Sequence, residues 1–152
     1  MKINWEVKSF DSLTAIELYN IMRLRAEVFV VEQNCPYQDA DGKDPKCFHL
    51  MGYNENKDLI AYSRIVPPGV SYNEVSIGRV VSSAKVRKTG AGRALMQKAI
   101  EGIAVKFGKV PIRIGAQLYL KNFYESFGFV AEGDDYLEDD IPHIEMLKND
   151  FN

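Results

Sequence analysis

The chain has 152 residues, 46% of them hydrophobic and 26% charged, with a net charge of −2. That balance predicts a single soluble globular domain over residues 1–152 and excludes a strongly basic surface for nucleic acid. No apolar run reaches membrane-spanning length, and Cys35 and Cys47 form neither a disulfide framework nor a metal spacing, so no membrane partner and a reduced, cytoplasmic setting are expected.

In chain order, "NWEVKSF" alternates as a first strand. Ser12 is placed to cap a helix whose apolar stripe runs through Leu13, Ile16, Leu18, Ile21, Met22, Leu24 and Phe29. "NCPYQDADGKDPK" is a polar loop too long for a plain connection, and such loops often line sites. "CFHLMGY", "LIAYSRIV" and "EVSIGRVVS" read as three strands separated by "NENKD" and "PPGVSYN". Helical spacing returns at Leu95, Met96, Ala99, Ile100, Ile103, Ala104 and Phe107, with Gly108 as the stop. "VPIRIGAQ" is a strand, Leu120, Phe123, Tyr124 and Phe127 mark a short helix, and "FVAEGDDY" and "HIEMLKN" are closing strands. This order predicts an α+β fold, a mixed central β-sheet flanked by helices, with one β-α-β crossover at its centre.

That crossover carries "VRKTGAGRALM", which concentrates Arg87, Lys88 and Arg93 around Gly90 and Gly92. The P-loop pattern is absent. The dinucleotide fingerprint also fails, because Leu95 stands where its third small residue belongs and "SSAKVRKT" is too long for the tight turn. What remains is R-x-x-G-x-G between a strand and a helix. Glycines let main-chain N–H groups approach an anion closely, and the helix start adds partial positive charge. A loop that needs glycines only to turn is the plain alternative.

In this context the pattern resembles the cofactor loop of the GNAT superfamily of acyl-coenzyme-A-dependent N-acyltransferases, [QR]-x-x-G-x-[GA]. The resemblance spans nearly the whole chain in element order. It implies acetyl-CoA as co-substrate, with main-chain groups near Val80 and Val81 pairing with the pantetheine arm. The amides of Arg87, Lys88, Thr89, Gly90, Ala91, Gly92 and Arg93 would hold the pyrophosphate. It also implies that Asn122, in "GAQLYLKNFYESFGF", lies near the cofactor arm and that Tyr124 is aimed at its sulfur. A phenol near pKa ~10 can protonate a departing thiolate near ~8.5 when it is well positioned. On spacing alone, Tyr124 is equally a core residue of the stripe with Leu120 and Phe127.

The candidate bases that would deprotonate an amine acceptor are Glu32, Glu74, His49 and His143. "RAEVFVVEQNCPYQDADG" and "IPHI" resemble the ElaA-like group of small bacterial GNAT proteins, whose acceptor is poorly defined. Glu32, Tyr37, Asp39 and Asp41 are the expected acceptor contacts, the carboxylates attracting a cationic amine. Asp39-x-Asp41-Gly42 is too short for a calcium loop, and no metal is expected. The resulting expectation is an N-acetyltransferase working through a ternary complex, with a homodimer left open. Its alternatives are a non-catalytic acyl-CoA sensor and an acyl-homoserine-lactone-type synthase.

Overall fold

The computed structural model describes residues 2–149, so the outermost positions of the expected domain, residues 1 and 150–152, lie outside the described residues. Strand β1 (Asn4–Ser9) leads through one tight turn at Phe10–Ser12 into α1 (Ala15–Arg25). The cap of α1 is Thr14, not Ser12. The Glu17 amide donates to Thr14 Oγ1 (3.1 Å) and the Thr14 amide to Glu17 Oε1 (2.8 Å), a reciprocal capping box. Ser12 has no glutamate three positions on and pairs with Ser9 instead. The late start also turns Ile16 out to solvent, 64% exposed, leaving Ile21, Leu24 and Val28 as the buried line.

After Arg25 the helix widens into a π-helical segment, Ala26–Glu32. Its exit is marked by five-residue bonds from the Gln33 amide to Val28 O (3.1 Å) and from the Cys35 amide to Val30 O (3.0 Å). Such widened turns are frequent at functional sites.

Strands β2 (Phe48–Tyr53), β3 (Leu59–Val66) and β4 (Ser76–Ser82) join β1 in one antiparallel sheet, ordered β1-β2-β3-β4. Helix α2 (Ala91–Phe107) crosses to β5 (Ile112–Gln117) and stops at Gly108. After α3 (Lys121–Glu125), strands β6 (Phe129–Glu138) and β7 (Ile141–Lys148) complete a second antiparallel sheet, ordered β5-β7-β6. The α+β class therefore stands, but the parallel joint at the crossover is a single bridge, Val75 to Ile112. One main core packs α2 against both sheets through Leu50, Ile65, Leu95, Met96, Ile112 and Met146. A second lies under α1, with Ile21, Leu24, Met51, Tyr62 and Val81. No helix among the described residues is long and apolar enough to cross a membrane.

Strand β4 also bends past the point where the two sheets part. Between the pairs Arg64–Gly78 and Tyr62–Val81, β3 advances two residues while β4 advances three, and Arg79 sits in that bulge at φ 52°. An extra residue on one strand kinks it and increases its twist. Beyond Val75, the β4 edge facing β5 has no ladder partner among the described residues.

Candidate active site

The gap between β4 and β5 opens into a cleft of about 1110 Å³. Val80, Val81 and Ser82 line one wall, with Gly115 and Gln117 of β5 opposite. The π-helical segment and the following loop close over it, contributing Val28, Glu32, Cys35, Tyr37 and Asp41. Cys35 Sγ reaches Asp139 O (3.5 Å) in the β6–β7 turn, so loop and hairpin meet across the cleft.

At one end stands the glycine loop. Lys88 (φ 66°) and Gly90 (φ 88°) are both left-handed, and the first helical bond of α2 runs from the Ala94 amide to Gly90 O (3.1 Å). Among the described residues, no main-chain amide from Arg87 to Arg93 has a main-chain acceptor. A turn of this kind followed by a helix start is a concave array of N–H donors suited to phosphate oxygens. Gly90 needs its missing Cβ for the left-handed turn rather than for space, since no atom lies within 4 Å of where a Cβ would stand.

The three cations of this loop part company. Arg87 lines the cleft and grips both oxygens of Glu32, with Nη2 at 2.6 Å from Oε2 and 3.2 Å from Ser82 O. Arg93 turns away to Ser126 Oγ (2.9 Å) and stacks over the Phe127 ring at 4.6 Å. Lys88 is exposed, the Thr89 hydroxyl donates to Val86 O, and Ala91 is buried beside Val86.

Tyr124 lines the same cleft at 6% exposure, and its hydroxyl has no hydrogen-bond partner among the described residues. Burial, with a smaller contribution from Tyr119, pushes its pKa up to about 12; at neutral pH the phenol is protonated, as it would be at its ordinary value. Asn122 is exposed on α3 and does not line the cleft.

The structure separates the candidate bases. His49 is 0% exposed and does not line the cleft. Its Nε2 meets the Asp44 carbonyl (3.0 Å), which can only accept, so Nε2 carries the proton and Nδ1 accepts from the Tyr62 hydroxyl (2.7 Å). With both nitrogens occupied and burial lowering its pKa, His49 is a structural histidine; the expectation of a base there is corrected. Glu74 is likewise displaced, because it lies in a separate hollow and bonds Arg113 (2.9 Å), which lowers its pKa. Glu32 faces the cleft but is paired with Arg87, which holds its pKa down.

His143 is different. It lines the cleft at 6% exposure, stacked on Tyr136 with ring centroids 5.9 Å apart. Its Nδ1 donates to the Ile141 carbonyl (2.7 Å), leaving the Nε2 lone pair free, with Glu138 Oε2 3.5 Å away. That tautomer is the one a general base needs.

The expected acceptor carboxylates are corrected as well. Arg25 Nε binds Asp39 Oδ2 (2.8 Å) and its Nη1 binds Asp44 Oδ1 (2.8 Å). Arg64 binds Asp41 (2.6 and 2.8 Å) and Asp44 (3.0 Å), and Arg79 binds Asp39 Oδ1 (2.9 Å). Tyr37 donates its hydroxyl to Asp39 Oδ1 (2.8 Å). Three aspartates are thus neutralised by three arginines, and Asp39 and Asp41 do not stand as free charges drawing in a cation. Sequence reasoning missed Arg64 and Arg79. Their signal was a lone cation inside the apolar runs "LIAYSRIV" and "SIGRVVS", which foretells a buried partner. Among the described residues no group of three or more His, Cys, Asp or Glu could hold a metal ion.

Residues 26–149 match the family described as acetyltransferase (GNAT) domain. The chain is 42% identical to the protein ElaA of Escherichia coli over 96% of each chain. It is 46% identical to a UPF0039 protein of Schizosaccharomyces pombe over 91% of this chain and 92% of that one, so the likeness extends beyond bacteria. A crystal structure of an acyl-CoA N-acyltransferase from Pseudomonas aeruginosa superposes with a TM-score of 0.92 at 43% identity, covering 97% of this chain and 99% of that one.

Proposed function

The chain belongs to the GNAT acetyltransferase family, and from that premise we propose that it moves an acetyl group from acetyl-CoA to a primary amine of a small molecule or peptide by direct transfer in a ternary complex. The observation that carries this reading is one cleft lined by Arg87 and Gly92 of the glycine loop, by the Tyr124 phenol and by His143. The amides of Arg87 to Arg93 would hold the diphosphate and the open β4 edge at Val80 and Val81 the pantetheine arm. Bound there, acetyl-CoA supplies the acyl group as a thioester. His143 Nε2, 3.5 Å from Glu138 Oε2, takes the proton of the incoming ammonium. The Tyr124 hydroxyl gives a proton to the departing sulfur.

The test is a panel of amines, polyamines and peptides assayed for acetyl-CoA-dependent thiol release. Release with at least one acceptor is expected, and coenzyme binding without release from any would leave only a binding module. With an accepted amine, His143→Gln should lower kcat roughly 10²-fold at neutral pH and leave coenzyme affinity alone. A kcat within twofold of the parent would remove His143 as the base.

A further inference from the structure

Arg79 lies 40 residues from Asp39 in sequence, yet its guanidinium joins the loop over the cleft to the strand along the cleft's wall. Its Nε donates to Asp39 Oδ1 (2.9 Å), and Nη2 donates to Asp39 O (3.1 Å) and Asp41 Oδ2 (3.4 Å). The Tyr37 ring lies 5.6 Å from the guanidinium carbon, and its hydroxyl holds the same Asp39 oxygen. The main chain of Arg79 meanwhile occupies the left-handed region, which a non-glycine residue keeps only where surrounding contacts hold it. The side-chain contacts that hold it here come from residues 37–41, and β3 pairs with the strand on either side. The bend thus secured lies one peptide before Val80.

We propose that Arg79 is a positioning residue that couples the loop over the cleft, residues 37–44, to the coenzyme-side strand at Val80–Ser82, so that occupancy of one side orders the other. The inference rests on the acetyl-CoA reading above. Coenzyme held along β4 fixes the bulge, the bulge fixes the guanidinium, and the guanidinium fixes Asp39 and Asp41. Tyr37 and Asp41 line the cleft and are set by the same bonds.

The variant that isolates this role is Arg79→Gly. Glycine adopts the same left-handed conformation without strain, so the bulge is kept. No carboxylate is stranded, because Asp39 keeps Arg25 and Tyr37 and Asp41 keeps Arg64. Hydrogen–deuterium exchange of the full chain, with and without coenzyme A, reads the coupling directly. In the parent, coenzyme A should slow exchange at 87–93 and, through Arg79, about tenfold at 37–44. In Arg79→Gly the slowing at 87–93 should persist and that at 37–44 should vanish, with Arg79→Lys in between because its point charge replaces a two-pronged donor. Slowing at 37–44 that survives in Arg79→Gly, or is missing from the parent while 87–93 responds, overturns the coupling. No response at 87–93 in the parent overturns the coenzyme reading and the coupling with it.

Discussion

Replacing Tyr124 by Phe is expected to lower kcat about 10³-fold while leaving coenzyme affinity and the fold intact. The substitution removes one oxygen and nothing else. The ring stays in the main core, edge-on to Phe123 at 5.2 Å and to Phe129 at 6.2 Å. No hydrogen bond is lost, since the hydroxyl faces the cleft and has no hydrogen-bond partner among the described residues. The melting temperature should therefore hold. What is lost is the protonated phenol that faces the cleft. A donor acting only on developing negative charge lowers kcat and kcat/KM together when removed. Steady-state kinetics and a coenzyme titration on the same preparation decide it. A parent-like kcat, or a matching loss of coenzyme affinity, would return Tyr124 to the core stripe.

The parts of this molecule that were legible in the sequence are those that rest on local chemistry. The alternation of β5, the Leu95–Phe107 stripe apart from the exposed Ala104, and the Gly108 stop depend on neighbours within a turn and appear where expected. The loop was legible because Arg87, Gly90 and Gly92 stand between a strand and a helix. The cap at Thr14 was also readable, as Thr14-x-x-Glu17, and Ser12 drew attention only by standing first. What stayed hidden is pairwise over long separations. The bulge at Arg79 is a property of two strands in register, so neither strand's sequence announces it. His49 looked available because strand alternation normally leaves one face wet, whereas β2 is buried on both faces from His49 to Gly52. Asp39 and Asp41 looked solvated because their partners, Arg25, Arg64 and Arg79, lie 14 to 40 residues away.

Those same partners set the other large effect, in stability rather than rate. Arg25→Ala should destabilise the fold by about 3–5 kcal/mol, because Arg25 is 0% exposed and its loss leaves a cavity and three aspartates sharing only Arg64 and Arg79, one buried negative charge in excess. At roughly 2–4 °C per kcal/mol for a domain of this size, the melting temperature should fall by about 10 °C. The charge is also why the loss should depend on pH. Burial alone would raise the pKa of Asp44, but the hydrogen bond from Arg25 and the charges of Arg25 and Arg64 outweigh it, and the net shift is downward. Asp41 is likewise driven up by burial and brought well below the ordinary range by Arg64. A depressed carboxylate contributes stability that is fully present above its unfolded value near ~4 and is lost as pH falls toward the folded value. The parent should therefore lose stability steeply below about pH 4, and Arg25→Ala, already without part of that contribution, should show a shallower acid limb. A double cycle with Asp44→Asn separates the pair from the cavity: restoring charge balance should recover more than 1 kcal/mol of the loss. Additive losses in that cycle, with equal acid limbs in parent and variant, would mean that Arg25 contributes by filling volume and not by holding the loop with its charge.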